Sequence, residues 1–385
     1  MIPYGKQSVS NDDIEAVIEI LRSDFITQGP AVVDFEKKIA SYCGAQHAIA
    51  VNSATSALHI ACLALGLGPG DVLWTSPITF VASANCALYC GAKVDFVDVD
   101  RKTYNLSVDA LEEKLQSAEK EGVLPKIVVP VHFAGQSCDM QRISELSQKY
   151  GFKILEDASH AIGGEYKNQK IGSCRYSDIT VFSFHPVKII TTGEGGMAVT
   201  NDGNIADHMA RLRSHGVTRN PEWMSGEMEG SWVYQQIELG FNFRMTDIQA
   251  ALGISQMQRL DSFVAKRHRL REQYDQLLEE FPVIRPWQSS EVYSALHLYP
   301  IQIDLDRLAV SRRVVFDRLK KDGVGVNVHY IPVHTQPWYR NMGFRAGDYP
   351  EAEKYYERAI TLPLFPELED VEQEYVVNAL ARALQ

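Results

Sequence analysis

Two residues of this chain have the types and the placement of a reacting pair. Lys188 stands in the run Ser183-Phe184-His185-Pro186-Val187-Lys188, between an apolar stretch, Ile179 to Phe184, and the turn Gly193-Glu194-Gly195-Gly196. Asp157 closes the run Lys153-Ile154-Leu155-Glu156-Asp157 about one strand earlier, and Ala158-Ser159-His160 follow it. A loop amine can condense with an aldehyde. A strand-end carboxylate can hold a pyridine nitrogen in its protonated form, which makes the ring an acceptor of electrons. These are the two groups that pyridoxal 5'-phosphate (PLP) requires of a protein. Taken singly, a loop lysine is commonly a solvated charge, and an aspartate after a strand is commonly a helix N-cap. The pair, borne on successive strands and followed by a glycine-rich turn, is far more specific.

A phosphate asks for backbone N–H groups and hydroxyls. Ser53-Ala54-Thr55-Ser56 opens a helical pattern that carries Leu58, Ile60, Ala61 and Leu65. Ala54 and Thr55 therefore offer both kinds of donor at a helix N-terminus, aided by the helix dipole. An ordinary cap has the same physics without a ligand.

The block Ser183 to Gly196 resembles the lysine-bearing segment of the DegT/DnrJ/EryC/StrS family of sugar aminotransferases, which reads Ser-Phe-(His or Asn)-x-x-Lys and then Gly-Glu-Gly-Gly. The blocks Glu156 to Ala161, Asn52 to His59, Phe241 to Asp247 and Val328 to Pro332 match the same family, and the resemblance runs from Pro3 to Pro366. It implies PLP as cofactor, Lys188 as its covalent anchor and proton carrier, and Asp157 as partner of the pyridinium. His160 would sit near the ring's phenolic oxygen; a structural hydrogen bond is the alternative. Ser183 would contact the phosphate with Ala54 and Thr55, Ala54 standing where the family has glycine. Phe80 would stack on the ring, with core packing as the alternative. Asn242 would reach the phosphate of a neighbouring subunit, which implies a homodimer with shared active sites. Some relatives carry histidine in place of the lysine and remove a sugar hydroxyl instead; Lys188 favours transamination. L-glutamate would be the donor, with ping-pong kinetics.

Three segments, Ile2 to Gly5, Asp24 to Pro30 and Asn327 to Tyr330, are most similar to the branch of the family in pseudaminic acid biosynthesis. That branch aminates C4 of a UDP-linked 4-keto-6-deoxy-N-acetyl sugar of the L-altro series. By this resemblance Tyr4, Phe25, Ile26 and Thr27 shape the sugar pocket, and Asn327, His329 and Tyr330 face the substrate. A 4-keto-pentose or C3 transaminase stays open, as does a PLP-binding regulator without turnover. The complete Asp157, His160 and Lys188 set speaks against the regulator, which would also need a DNA-binding appendage that the sequence does not show.

The remaining composition sets bounds. The net charge is −11 and no Lys/Arg-rich run occurs, which disfavours nucleic acid as a partner. Local groups must then hold an anionic diphosphate against the overall field, with Arg175, Arg219, Arg244 and Arg312 as contributors to consider. The six cysteines are scattered without a metal-ligand pattern, so no metal is expected. No apolar run is long enough to span a bilayer, and the N-terminal residues carry no hydrophobic signal core, so a cytoplasmic protein is expected.

The elements that must position these residues alternate. Strands are expected at His47 to Val51, Asp71 to Thr75, Lys93 to Val97, Lys126 to Pro130, Lys153 to Glu156 and Ile179 to Phe184, with a return at Ala198 to Thr200. Amphipathic helices, such as Asn11 to Ser23, Val32 to Tyr42, Leu111 to Lys120 and Ile143 to Tyr150, lie between or before them. The pattern predicts α/β architecture, a mostly parallel sheet between helices, plus a smaller α+β C-terminal domain; the family resemblance implies that this is the PLP aminotransferase fold type I. The expected division is residues 1–250 and 251–385, linked by one long helix from Thr246 to Leu278. The small domain should hold a strand pattern at Ser294 to Ile303, a helix at Ser311 to Lys321, a strand from Val324 to Tyr330, and a final helix from Val371. The loop from Thr218 to Val233 is long for a connection, which points to a functional or an interface loop.

Overall fold

The computed structural model describes residues 1–226 and 228–385. Its largest sheet has seven strands: β1 (His47–Val51), β2 (Val72–Thr75), β3 (Lys93–Phe96), β4 (Ile127–Val129), β5 (Lys153–Asp157), β6 (Ile179–Ser183) and β7 (Gly196–Thr200). In space the order is β1-β7-β6-β5-β4-β2-β3. Strands β3, β2, β4, β5 and β6 pair in parallel, and β7 lies antiparallel to both of its neighbours. The sheet is therefore mostly parallel. Its strands read as nearly continuous apolar runs because both faces are covered: β4, β6 and β7 are buried at every position.

Two apolar clusters sandwich this sheet. One gathers Val51, Leu73, Phe96, Val129, Leu155 and Val181 with the helices Ala54–Ala64, Ala82–Tyr89 and Gly203–Arg213. The other gathers Phe35, Ile39, Ala50, Phe182, Phe184 and Val199 with the helices Pro30–Cys43 and Asp247–Met257. The first helix, Asn11–Arg22, starts at Ser10, whose side chain accepts from the Asp13 amide while Asp13 reaches back. That reciprocal cap fixes the point where the N-terminal segment turns into the helix.

A third apolar cluster lies C-terminal, built from Leu270, Tyr299, Ile301, Val315, Leu362, Val376 and Leu380. Its three-stranded antiparallel sheet consists of Val283–Ile284, Tyr299–Ile303 and Ala359–Leu362, flanked by the helices Arg312–Lys321 and Asp370–Ala383.

Three expected elements are corrected. The long helix is two helices, Asp247–Met257 and Leu260–Leu277, because Arg259 leaves helical geometry at φ −110°, ψ 0°. The side chain of Arg259 turns back to the carboxylate of Asp13, and Gln256 Nε2 donates to the Ser8 carbonyl at 2.7 Å. The break is thus tied to the N-terminal segment. The run from Val324 to Tyr330 forms no continuous strand. Its backbone partners are divided: Val324 bridges to Ile2, and Asn327 bridges to Thr361. Of Ser294 to Ile303, only the last five residues form a strand.

Candidate active site

The carboxyl ends of β5 and β6 open onto a cavity of about 580 Å³. Asp157 is the last residue of β5, and Ser183 is the last of β6. The loop that follows β6 is tied to itself. The Lys188 amide donates to the His185 carbonyl at 2.9 Å, and the Thr192 amide and Thr191 hydroxyl both donate to the Phe184 carbonyl, at 3.0 and 2.9 Å. The glycine-rich turn then returns the chain into β7.

Gly196, at that return, is required by a close approach. A Cβ there would lie 2.5 Å from the Ala54 nitrogen and 2.6 Å from the Ser53 oxygen. The turn therefore seats directly against the N-terminus of the helix Ala54–Ala64. Ser53 caps this helix by accepting from the Ser56 amide at 3.1 Å. The amides of Ala54 and Thr55 belong to the first turn, where α-helical geometry supplies no acceptor. Both residues line the cavity, so an anion there meets two backbone donors, the Thr55 hydroxyl and the positive end of a helix dipole.

Lys188 lines the same cavity. Burial pushes its ammonium well below the ordinary lysine range, to about 8, and the Asp157 charge pulls back only in part. A large fraction of the amine is therefore neutral near pH 8 and fit to attack an aldehyde. Asp157 is buried, its Oδ1 accepting the Ser159 amide at 3.1 Å and its Oδ2 accepting the Ser83 hydroxyl at 2.6 Å. The preceding residue, Glu156, points to the other face of the strand, as alternation demands. Its Oε2 lies 2.6 Å from His132 Nε2, and Oε1 accepts from the hydroxyls of Ser177 and Thr180. Burial raises the Glu156 carboxyl, but these hydrogen bonds outweigh it and hold it below the usual carboxylate range.

Three buried imidazoles stand around the lysine. His160, His297 and His329 all line the cavity. Burial, and then the Lys188 charge, hold His160 well below its ordinary value and His329 down to about 3. His297 is held well below as well, by burial first and then by His160 and Lys188. The set is therefore neutral at physiological pH. The Tyr330 hydroxyl lies 3.0 Å from His160 Nε2, and the His160 and His297 rings are 4.4 Å apart. Gly135, at φ 101°, allows this packing: a Cβ there would lie 3.0 Å from both the His160 oxygen and the His297 nitrogen.

Of the residues named from sequence, the structure brings Tyr4, Ala54, Thr55, Phe80, Asp157, His160, Ser183, Lys188, Asn327, His329 and Tyr330 to this one cavity. Phe80 is 59 % exposed, so its ring is open toward the cavity rather than packed into the core. Four do not reach it. Phe25 and Ile26 are more than half exposed, Thr27 bridges to Thr246, and Asn242 is exposed and bridges to Ser214. Residues 25–27 are kept from the cavity because Gly29 and Ala31 bond to Asp247, which anchors the 25–31 segment at the start of the helix Asp247–Met257. None of Arg175, Arg219, Arg244 and Arg312 lines the cavity; Arg175 lies over Tyr176, and Arg312 is engaged with Tyr356. Sequence reading missed Ser83, Thr79, Glu194 and His297. Ser83 and Thr79 carried only one signal, a four-residue spacing that puts both hydroxyls on one side of a helix start. His297 sits inside an apolar run and gave none.

The cavity's residues fit PLP: an amine of lowered proton affinity, a buried carboxylate, a helix N-terminus against a glycine that must lack a side chain, and an open aromatic face. Among the described residues no group of three or more metal-ligating side chains comes together, and no helix is long and apolar enough to cross a membrane.

The spore coat polysaccharide biosynthesis protein SpsC of Bacillus subtilis is 39% identical over 98% of this chain and 96% of its own length. A UDP-4-amino-4,6-dideoxy-N-acetyl-beta-L-altrosamine transaminase of Campylobacter jejuni is 36% identical over 100% of this chain and 98% of its own. Among solved structures, Helicobacter pylori PseC, an aminotransferase involved in the biosynthesis of pseudoaminic acid, superposes with a TM-score of 0.90 at 30% identity, covering 100% of this chain and 99% of that one. The model of the DegT/DnrJ/EryC1/StrS aminotransferase family matches residues 7–381. With a fold type I sheet, a lysine loop and a site suited to PLP, the chain belongs to the DegT/DnrJ/EryC1/StrS family of PLP-dependent aminotransferases.

Proposed function

We propose that the protein moves an amino group from L-glutamate to C4 of a UDP-linked 4-keto-6-deoxy-N-acetyl sugar, as in pseudaminic acid biosynthesis. The observation that carries the reading is the convergence of Lys188, Asp157 and His160 with Tyr4, Asn327, His329 and Tyr330 around one cavity. It is supported by the likeness to the Campylobacter transaminase and to PseC. SpsC, at 39% identity, favours a second reading in which the acceptor is a related nucleotide-linked keto sugar.

When bound, PLP supplies an electron sink that makes the donor's Cα–H acidic. The chain does the rest. Asp157 would keep the pyridine nitrogen charged, Ala54, Thr55 and Ser183 would hold the phosphate, and Phe80 would lie against the ring. Lys188 Nζ would be the base at the donor's Cα and, once protonated, the acid that delivers that proton to the cofactor; its lowered proton affinity suits both directions. In the second half-reaction the same amine would carry a proton back, to the sugar carbon that gains nitrogen. The neutral histidines place no cation beside it.

The active form in this reading is a homodimer that completes each site with the partner's Asn242. Large apolar side chains on the segments beside Asn242 support it: Trp232 is 68 % exposed and Leu239 80 %. Phe25 and Ile26, solvent-facing in one chain, would then shape the sugar pocket from across the two-fold axis or form part of that contact. The division into residues 1–250 and 251–385 and a cytoplasmic location belong to the same proposal.

The test compares kcat/KM for UDP-linked 4-keto-6-deoxy-hexose, 4-keto-pentose and 3-keto sugars at one glutamate concentration. The hexose should lead, by a modest factor, because one methyl group discriminates by only about 1–3 kcal/mol. A clear win for the pentose or the 3-keto sugar overturns the acceptor while leaving amino transfer intact.

A further inference from the structure

We infer that Ser83, with Thr79 behind it, is the positioning residue that sets the angle of the Asp157 carboxylate. The inference rests on Asp157 being the pyridinium partner. Asp157 has two acceptor oxygens and one contact on each: the Ser159 amide on Oδ1 at 3.1 Å and the Ser83 hydroxyl on Oδ2 at 2.6 Å. An aspartate's terminal torsion is broad and roughly two-fold, so its rotamer alone does not define the carboxylate plane. Two contacts at right positions do.

The direction of the second contact is fixed by chemistry. A carboxylate only accepts. Ser83 must therefore donate, and it has one proton. Its competing acceptors are the Thr79 hydroxyl at 2.7 Å and the Phe80 carbonyl at 3.4 Å, the latter the usual back-bond of a serine near a helix start. The charged oxygen at 2.6 Å takes the proton instead, since charge-assisted hydrogen bonds are the shorter and stronger kind. The lone pairs of Ser83 are then free to accept, and the Thr79 hydroxyl lies 2.7 Å away. Both residues are buried, at 0 % and 2 % exposure, so water does not substitute for either. The result is a directed chain of hydroxyls, Thr79 to Ser83 to Asp157, in a setting where each bond polarises the next.

The chain also has a place. Thr79 and Ser83 bracket Phe80, and the Ser83 amide donates to the Phe80 carbonyl at 3.3 Å. One turn thus carries the aromatic ring that faces the cavity and the hydroxyl that holds the carboxylate. Stacking face and nitrogen partner are set by the same turn, Thr79 to Ser83, rather than by two independent elements. A serine here that merely filled space would satisfy itself on the Phe80 carbonyl and leave Asp157 alone.

The experiment uses the full-length protein reconstituted with PLP. Four variants are made: Ser83→Ala, Thr79→Val, Asp157→Asn and the double variant Ser83→Ala/Asp157→Asn. Three quantities are read: the dissociation constant for PLP, the visible circular dichroism of the bound cofactor, and kcat against KM for glutamate. Ser83→Ala should weaken PLP binding and lower kcat by roughly ten- to a hundredfold, the range for a hydrogen bond to a charged group, with reduced dichroism and little change in KM. Thr79→Val should move the same quantities in the same direction by less. In the Asp157→Asn background, Ser83→Ala should change neither the dissociation constant nor the dichroism further. If Ser83→Ala does not yield folded protein because it strands the Thr79 hydroxyl, Thr79→Val/Ser83→Ala removes that orphan and carries the same expectation. Affinity and dichroism within twofold of the wild type overturn the inference. So does a loss that adds in full to that of Asp157→Asn, which would mean that Ser83 acts elsewhere. A normal Asp157→Asn variant instead overturns the role of Asp157, and is read separately from the Ser83 result.

Discussion

Replacing Lys188 with methionine should make the cofactor-free protein more stable near neutral pH. The ammonium of Lys188 is held from 10.5 down to about 8, because the cavity walls remove water from it more than Asp157 compensates. At about 1.4 kcal/mol per pKa unit, a shift of about 2.5 units corresponds to roughly 3 kcal/mol as an upper figure. Solvent reaching the cavity lowers it, so roughly 1–3 kcal/mol is expected. The sign follows from linkage. The folded pKa lies below the unfolded one, so between about pH 8 and 10.5 the unfolded chain binds more protons, and stability rises with pH in that window. Below about 8 both states are protonated and the full cost is present; above 10.5 it is gone. Methionine keeps the length and removes the charge. The assay is urea unfolding of the cofactor-free wild type and Lys188→Met at pH 7.5 and pH 10, with the difference between the two proteins as the reported quantity. The variant should be the more stable at pH 7.5, and the gap should shrink by more than half at pH 10. A wild type that is the more stable at pH 7.5, or a gap that does not change with pH, refutes the argument that burial strains this amine.

Three further outcomes follow from the site. Borohydride treatment of the PLP-loaded wild type should fix the cofactor on the peptide that carries Lys188, and Lys188→Ala should show neither the label nor turnover; a label on another lysine excludes the assignment. Asp157→Asn should keep the fold and lose kcat by about two orders of magnitude or more, since a neutral amide no longer stabilises the charged pyridine nitrogen; near-normal turnover, measured with glutamate at saturation, speaks against the role. Inactive Lys188→Ala and Asn242→Ala chains, mixed and allowed to exchange, should recover activity in heterodimers, because one hybrid site then holds both residues; verified heterodimers without activity count against shared sites.

The parts of the site that were legible in sequence are those whose geometry is local. Asp157 and Ser183 each end a strand whose apolar run is visible, and Lys188 lies a few residues past the second, so the sheet edge gathers them without any long-range information. The helix N-terminus at Ala54 is legible for the same reason: Ser53 caps it from the adjacent position. What was illegible depends on contacts between distant residues. The bond from Ser83 to Asp157 spans 74 positions and that from Tyr330 to His160 spans 170. The hydroxyl of Tyr330 is thus engaged with a neighbouring imidazole, where sequence assigned the residue to the substrate alone. The run from Val324 to Tyr330 has strand-like residues, but its backbone is shared between Ile2 and Thr361 and never forms a ladder. The break at Arg259 follows from a side chain reaching Asp13, which helical periodicity does not report. Phe25, Ile26, Thr27 and Asn242 lie away from the cavity of their own chain; in the proposed homodimer a second copy would bring such residues to it.

The most direct test of amino transfer to a nucleotide-linked keto sugar is to follow the nitrogen itself. The purified protein is incubated with PLP, ¹⁵N-labelled L-glutamate and a UDP-linked 4-keto-6-deoxy-N-acetyl sugar, and the product is examined by NMR. The label should appear on C4 of the sugar, in step with the release of 2-oxoglutarate, and Lys188→Ala should yield none. A sugar that stays unlabelled while the wild type holds PLP, or a label on a carbon other than C4, contradicts the account.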